Sequence, residues 1–182
     1  MFKIHFRRFN YSKDLELLYT YMLCEEHQML FSHSFQSHNI NMFEHWLTEK
    51  FARNEYHDFF IIENDCHKTI GFTFSYEFFA LDAHCKFTLC LLDDYKNIGY
   101  GAVAALKMID YMFKKYPLKR LFVSVFDYNN NSISNITKGG FELNGVLPEY
   151  RYHAGEYHSL HIFSLTREKF YSIHNKKVMM LS

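Results

Sequence analysis

The chain has 182 residues, 48% hydrophobic and 19% aromatic, with 20 Lys and Arg balanced by 20 Asp and Glu. Zero formal charge argues against a chain whose main partner is nucleic acid or an anionic membrane surface, because both need a basic surplus, and leaves room only for a local basic patch. The length suits one domain over residues 1–182, with its core ending at about residue 167 and a tail over 168–182.

Residues 2–9 alternate in the manner of a first strand. Ser12 is placed to cap a helix running to about Cys24. Asn41, with Glu44 three residues later, reads as a capping box. It predicts a helix through Arg53 with Met42, Trp46, Leu47 and Phe51 as apolar positions. Phe59–Ile62, Thr69–Phe78 and Cys85–Leu92 read as an antiparallel meander, with a turn beginning at Asn64-Asp65. Gly99–Tyr116 is the strongest helix pattern. Lys107, Asp110 and Lys114 form its polar stripe, and Val103, Leu106, Ile109, Met112 and Phe113 cover most of the rest. Pro117 ends it. Leu121–Phe126 is nearly continuously apolar, as in a strand buried on both faces. A short helix over Asn131–Lys138 stops at Gly139-Gly140, read as a left-handed C-cap. Phe141–Leu143 and Tyr157–Leu165 close the sheet, and the tail after Arg167 reads as a last turn or a frayed end.

Cys24, Cys66, Cys85 and Cys90 have no CxxC spacing, so neither a disulfide framework nor a zinc site is expected. His158 and His161, the one close histidine pair in a strand, point to opposite faces and cannot share an ion. The first ten residues lack the apolar core of a signal peptide. No apolar run approaches the roughly 18 residues of a membrane span. The expectation is a reduced, cytoplasmic protein with no metal.

The order of elements places a strand, a helix and a parallel strand in series over Phe87–Phe126, and such a crossover is right-handed. It sets a helix N-terminus at the carboxyl end of a strand, where anions bind. The joining loop runs Leu91, Leu92, Asp93, Asp94, Tyr95, Lys96, Asn97, Ile98, Gly99, Tyr100, Gly101, Ala102. Its glycines let backbone amides converge and a ligand approach without a Cβ. With the unsatisfied amides of the first helical turn, they suit a pyrophosphate. The absence of Gly-Lys-Ser/Thr excludes a Walker loop. A dinucleotide-binding fingerprint fits Gly99, Gly101 and Ala104, with Asp127 closing the next strand. Against it, Asp93–Ile98 separate the strand from the first glycine, and few residues remain for further βαβ units. A glycine loop that only turns the chain is the third reading.

The segment Lys96–Gly101 resembles the pyrophosphate loop of the GNAT acyltransferase superfamily, Gln/Arg-x-x-Gly-x-Gly/Ala, with Lys at the first position. Asn129 with Ser132 three residues later, then Gly140-Phe141, is similar to the Asn-x-x-Ser block of the RimJ/RimL-like branch. Tyr150–His158 resembles that branch's closing hairpin. The resemblance covers residues 58–166. It implies an α/β (α+β) fold: a mixed, mostly antiparallel sheet of about six or seven strands, with a central βαβ acyl-CoA site and flanking helices.

The resemblance also implies a mechanism. A bulge near Leu91 and Leu92 would splay that strand from its neighbour, and its free backbone would hold the pantetheine arm and polarise the thioester. Lys96, Asn97, Ile98, Gly99, Tyr100, Gly101 and Ala102 would bind the cofactor, together with Asn129 and Ser132. Where many members place a Tyr that protonates the leaving thiolate, this chain has Ile136; in the RimL-like pattern the Ser three residues after the Asn serves that role, and the resemblance thereby implies Ser132 as the candidate acid. Glu77 and Glu149 are the candidate bases. The expected reaction moves an acetyl group from acetyl-CoA to a primary amine of a small molecule, such as a polyamine or amino sugar, or to a protein N-terminus. Asp14, Glu16, Glu25 and Glu26 would suit a polyamine, although they read first as a solvated helix face. An inactive acyl-CoA-binding module and a nicotinamide-binding protein are the alternatives. An apolar strand edge would allow a homodimer.

Overall fold

The computed structural model describes residues 3–28, 30 and 39–179. Phe2, in the predicted first strand, and the last three residues of the tail lie outside them. The chain runs β1 (Ile4–Arg8), α1 (Tyr11–Leu23), α2 (Glu25–Gln28), α3 (Ile40–Ala52), β2 (Tyr56–Asn64), β3 (Thr69–Phe79) and β4 (His84–Leu91). It continues with α4 (Tyr100–Lys115), β5 (Arg120–Phe126), α5 (Asn130–Lys138), β6 (Glu142–His153), β7 (Glu156–Thr166) and α6 (Arg167–Met179).

All seven strands form one sheet in the order β1-β2-β3-β4-β5-β7-β6. Only β4 and β5 are parallel among the described residues; the other neighbours are antiparallel. A mixed sheet with a single βαβ unit removes the dinucleotide-binding alternative, which requires a run of parallel strands.

Helices cover both faces. α4 and α6 lie on one, where Met108, Met112, Phe113 and Phe170 pack on Phe60, Phe87, Leu121 and Phe163. α1 and α3 lie on the other, where Leu18, Phe43 and Leu47 meet Phe59, Ile61, Phe72 and Phe74. Phe59 stacks on Phe9 at 4.7 Å and lies 5.0 Å from Phe74, so aromatic area carries much of this layer. Cys85 and Cys90 are buried core residues, and burial pushes each thiol up to about 12.

Several local expectations change. α3 is capped by Asn39, whose Oδ1 accepts from Asn41 N–H (2.9 Å) and Met42 N–H (3.4 Å). The cap therefore lies two residues before the predicted one, and Phe43 is buried while Met42 is exposed. α1 opens after Asn10, so Ser12 lies inside it. Asp14 is no solvated residue: it is buried and accepts two bonds from Arg7 at 2.8 Å. β5 alternates buried and half-buried positions instead of burying both faces, because α1 and α3 cover the strands on the other side of β4. At the end of α5, Gly140 is left-handed at φ +92° while Gly139 stays right-handed. The tail is a helix, anchored by buried Phe170 and by His174 Nε2 against Gly139 O at 2.9 Å.

Candidate active site

The β4–β5 pairing covers only His84–Lys86 against Arg120–Phe122. Beyond it, Phe87–Leu91 pair with β3 alone and Val123–Phe126 with β7 alone. The strands part into a wedge that opens towards their carboxyl ends, leaving one edge of β4 free for an extended ligand. The splay is as expected, but its cause is not a bulge at Leu91 and Leu92. The β3–β4 register is regular from Gly71↔Leu91 to Tyr76↔Lys86, and its shift lies between Tyr76 and Phe79. Ser124, two residues past the last β5 pair, has a buried Oγ with no partner among the described residues.

At the mouth of the wedge a 3-10 turn over Asp93–Tyr95 leads into the glycine loop. Asn97 (φ +61°) and Gly99 (φ +106°) are left-handed, and Gly99 occupies the cap position of α4 with no side-chain cap bond. The first amides of a 16-residue helix are thus left to an anion. A Cβ at Gly101 would meet only Leu91 Cδ1 at 3.5 Å, an ordinary contact, so packing within the protein does not demand glycine there. Lys96 is bonded to Asp93 at 2.6 Å, and Asp93 also faces His27 Nε2 at 3.3 Å. His27 also stacks on Tyr21 of α1 at 3.8 Å, so its contact with Asp93 ties α1 and α2 to this loop. Lys96 and His27 together draw the Asp93 carboxyl below its usual range.

On the other wall, Asn129 caps α5, and its Oδ1 accepts from Ser132 N–H at 3.2 Å. Its amide nitrogen remains for a ligand carbonyl. Ser132 is half-buried in the first turn of α5. Ile136 packs on the main core and has no proton to give.

Neither candidate base is well placed. Glu77 sits at the register shift of β3 with φ +46° and is paired to Lys86 at 2.7 Å, so its charge is already compensated. Glu149 is exposed at the register shift of β6 with φ +51°.

The structure instead brings together two residues that sequence reasoning treated separately. Asp127, just past β5, accepts from His158 Nδ1–H at 2.9 Å and from Ser159 N–H at 2.8 Å. Thirty-one positions separate Asp127 from His158, so no local spacing reveals the pair. The β5–β7 register, which sets Phe126 opposite Leu160, creates it. Among the described residues no group of three His, Cys, Asp or Glu is arranged to hold a metal ion.

The comparisons with known proteins agree with this geometry. A family model described as an acetyltransferase (GNAT) domain matches residues 3–142. A curated relative, the SPbeta prophage-derived uncharacterized N-acetyltransferase YokL of Bacillus subtilis (strain 168), is 23% identical over 130 residues, 71% of this chain and 72% of its own. Among solved structures, a spermidine N-acetyltransferase from Vibrio cholerae in complex with CoA and spermine superposes with a TM-score of 0.83 at 16% identity, covering 92% of this chain and 98% of that one. A dodecameric form of the Vibrio cholerae enzyme superposes at 0.79 and 16% identity over 92% of this chain and 96% of that one. With the domain model spanning more than half of its residues and the split sheet in place, this chain belongs to the GNAT acetyltransferase family and is an acyltransferase.

Proposed function

We propose that this acyltransferase moves the acetyl group of acetyl-CoA to a primary amine of a small molecule, a polyamine being the favoured class. The wedge between β4 and β5, leading to the uncapped N-terminus of α4, carries this reading. An extended thioester with a pyrophosphate fits it. The free edge of Phe87–Leu91 accepts the pantetheine amides as an added strand, and the orphaned Ser124 Oγ offers a further polar contact. Leu91, Leu92 and Lys96–Ala102 hold the cofactor, and the space kept open at Gly101 admits the phosphates. Asn129 bonds the pantetheine, and Ser132 donates the proton that the leaving thiolate takes up. The polyamine class draws support from the enzyme solved with CoA and spermine. A protein N-terminus, the acceptor suggested by the RimJ/RimL-like blocks, is the second choice.

Copies of the chain associate through β6 in this reading. β6 ends the sheet and exposes Leu143, Val146, Leu147, Tyr150 and Tyr152.

Thermal unfolding with acetyl-CoA, with NADH and without ligand tests the cofactor. Acetyl-CoA at about 100 times its dissociation constant adds roughly 2.7 kcal/mol, several degrees in Tm. No shift would refute the assignment. Thiol release with a panel of polyamines, amino sugars and peptide N-termini then identifies the acceptor. A shift without thiol release from any amine would mark an inactive binding module.

A further inference from the structure

An alkylammonium acceptor must lose a proton before it attacks a thioester, and neither Glu77 nor Glu149 is suited to take it. Resting on the acetyltransferase reading above, we infer that His158, oriented by Asp127, is the group that accepts this proton.

The two nitrogens of His158 have different surroundings. Nδ1–H donates to Asp127 Oδ1 at 2.9 Å. Nε2 lies 3.8 Å from Glu156 Oε1, outside hydrogen-bond reach, and has no other partner among the described residues. With the proton on Nδ1, the lone pair of Nε2 is available, the arrangement by which a carboxylate prepares an imidazole to act as a base. The carboxylate is itself held firmly. Ser159 N–H, with a further contribution from His158, holds Asp127 below the usual carboxylate range against the opposing effect of burial. When Nε2 takes up a proton, the imidazolium faces Asp127 on one side and Glu156 on the other, so the new charge is compensated.

The position fits the reaction. Asp127 directly follows β5, one wall of the wedge, and two residues later Asn129 caps the helix that carries Ser132. Phe163 and Leu165 pack in the core beneath α4, so strand alternation sets His158 on the opposite face of β7, the face that carries α1 and α3. There Tyr128 meets its ring edge-on at 4.8 Å and His153 lies at 6.1 Å. Arg151 is its partner across β6, bonds Tyr128 and lies over Phe126 at 4.1 Å. These rings shield the imidazole without occupying Nε2.

The balance is simple. The ammonium gives a proton to Nε2; the neutral amine forms its bond to the thioester carbon; the carbon–sulfur bond breaks, and the thiolate takes a proton from Ser132. The amide nitrogen sheds its second proton to reprotonate Ser132, and the imidazolium returns its own to solvent. The sum is one amide, one thiol and one proton.

The test is the pH dependence of kcat/KM for a polyamine in His158→Gln, His158→Ala and Asp127→Asn, with the acetyl-CoA thermal shift measured on each. In Asp127→Asn the side-chain oxygen stays with Ser159 N–H. The amide NH2 then faces Nδ1 and forces the proton onto Nε2, where it blocks the base. His158→Gln is expected to lose about 100-fold or more in kcat/KM, to lose the acid limb of the profile, and to keep the wild-type acetyl-CoA shift. Added imidazole should partly restore His158→Ala. Wild-type kcat/KM and profile in His158→Gln would overturn the inference, as would a loss matched by an equal loss of acetyl-CoA binding. If His158→Gln fails to fold, Asp127→Asn decides: a profile that keeps its acid limb at wild-type rate overturns it. A wild type that releases no thiol with any amine refutes the acetyltransferase reading itself, a result distinct from an active enzyme indifferent to His158.

Discussion

The sheet consists of two ladders that meet along three residue pairs. β1–β4 are zipped over most of their length, and so are β5, β7 and β6, but β4 and β5 touch only at His84–Lys86 and Arg120–Phe122. In the first ladder atoms leave no slack. A Cβ at Gly71 would lie 2.2 Å from Cys90 O, and Phe72 beside it is completely buried. At the seam the opposite holds: Gly101 has room for a Cβ, Ser124 Oγ has no partner, and the amides of α4 are uncapped. Close packing marks where the chain serves its own stability, and unmet polar groups beside open space mark where a ligand completes it.

Four substitutions probe that contrast, from the largest expected effect on stability to the smallest. Phe72→Ala, in the closed ladder, should cost about 3–5 kcal/mol in urea unfolding. Gly71→Ala should cost about 3 kcal/mol, because the obstructing atom is a backbone carbonyl that cannot rotate away.

The third is Asp58→Asn. Asp58 is buried on β2 and accepts bonds from Arg8 (2.7 Å), Lys115 (2.7 Å) and Tyr116 (2.6 Å). Burial pushes its carboxyl up, but bonds from Lys115, Tyr116 and Arg8 outweigh this and hold it below 3.8. A depressed folded value gives stability that is present above 3.8 and lost as pH falls through the lower value. Asp58→Asn should therefore cost about 2 kcal/mol at neutral pH and flatten this part of the acid-unfolding curve. An unchanged acid limb would show that the network does not stabilise the fold.

Gly101→Ala, at the seam, should change stability by less than about 0.5 kcal/mol and, because the loop pattern admits Ala at this position, weaken the thermal shift with acetyl-CoA without abolishing it. A destabilised Gly101→Ala protein would break the contrast between ladder and seam.

Much of this organisation is readable along the chain. The meander, the long helix after the glycine loop and the Asn131–Lys138 helix all rest on local periodicity and turn chemistry, which act over a few residues. Gly99 was legible for the same reason, since a loop that precedes a helix and needs left-handed backbone selects glycine. The cap of α3 was misplaced by two residues because Asn39 and Asn41 are both acceptable caps, and only packing of Phe43 chooses between them. The tail was read as a last turn or a frayed end, yet contacts of Phe170 and His174 with distant elements hold it as a helix.

The sequence by itself determined the class of fold, the glycine loop ahead of α4 and the short helix after β5, because each is a matter of neighbours within a turn or two. Tertiary structure alone decided where the sheet splits, that Glu77 is neutralised by Lys86, and that Asp127 meets His158. Those outcomes depend on strand register, and register is set by the summed fit of two whole strands, not by any residue read in order.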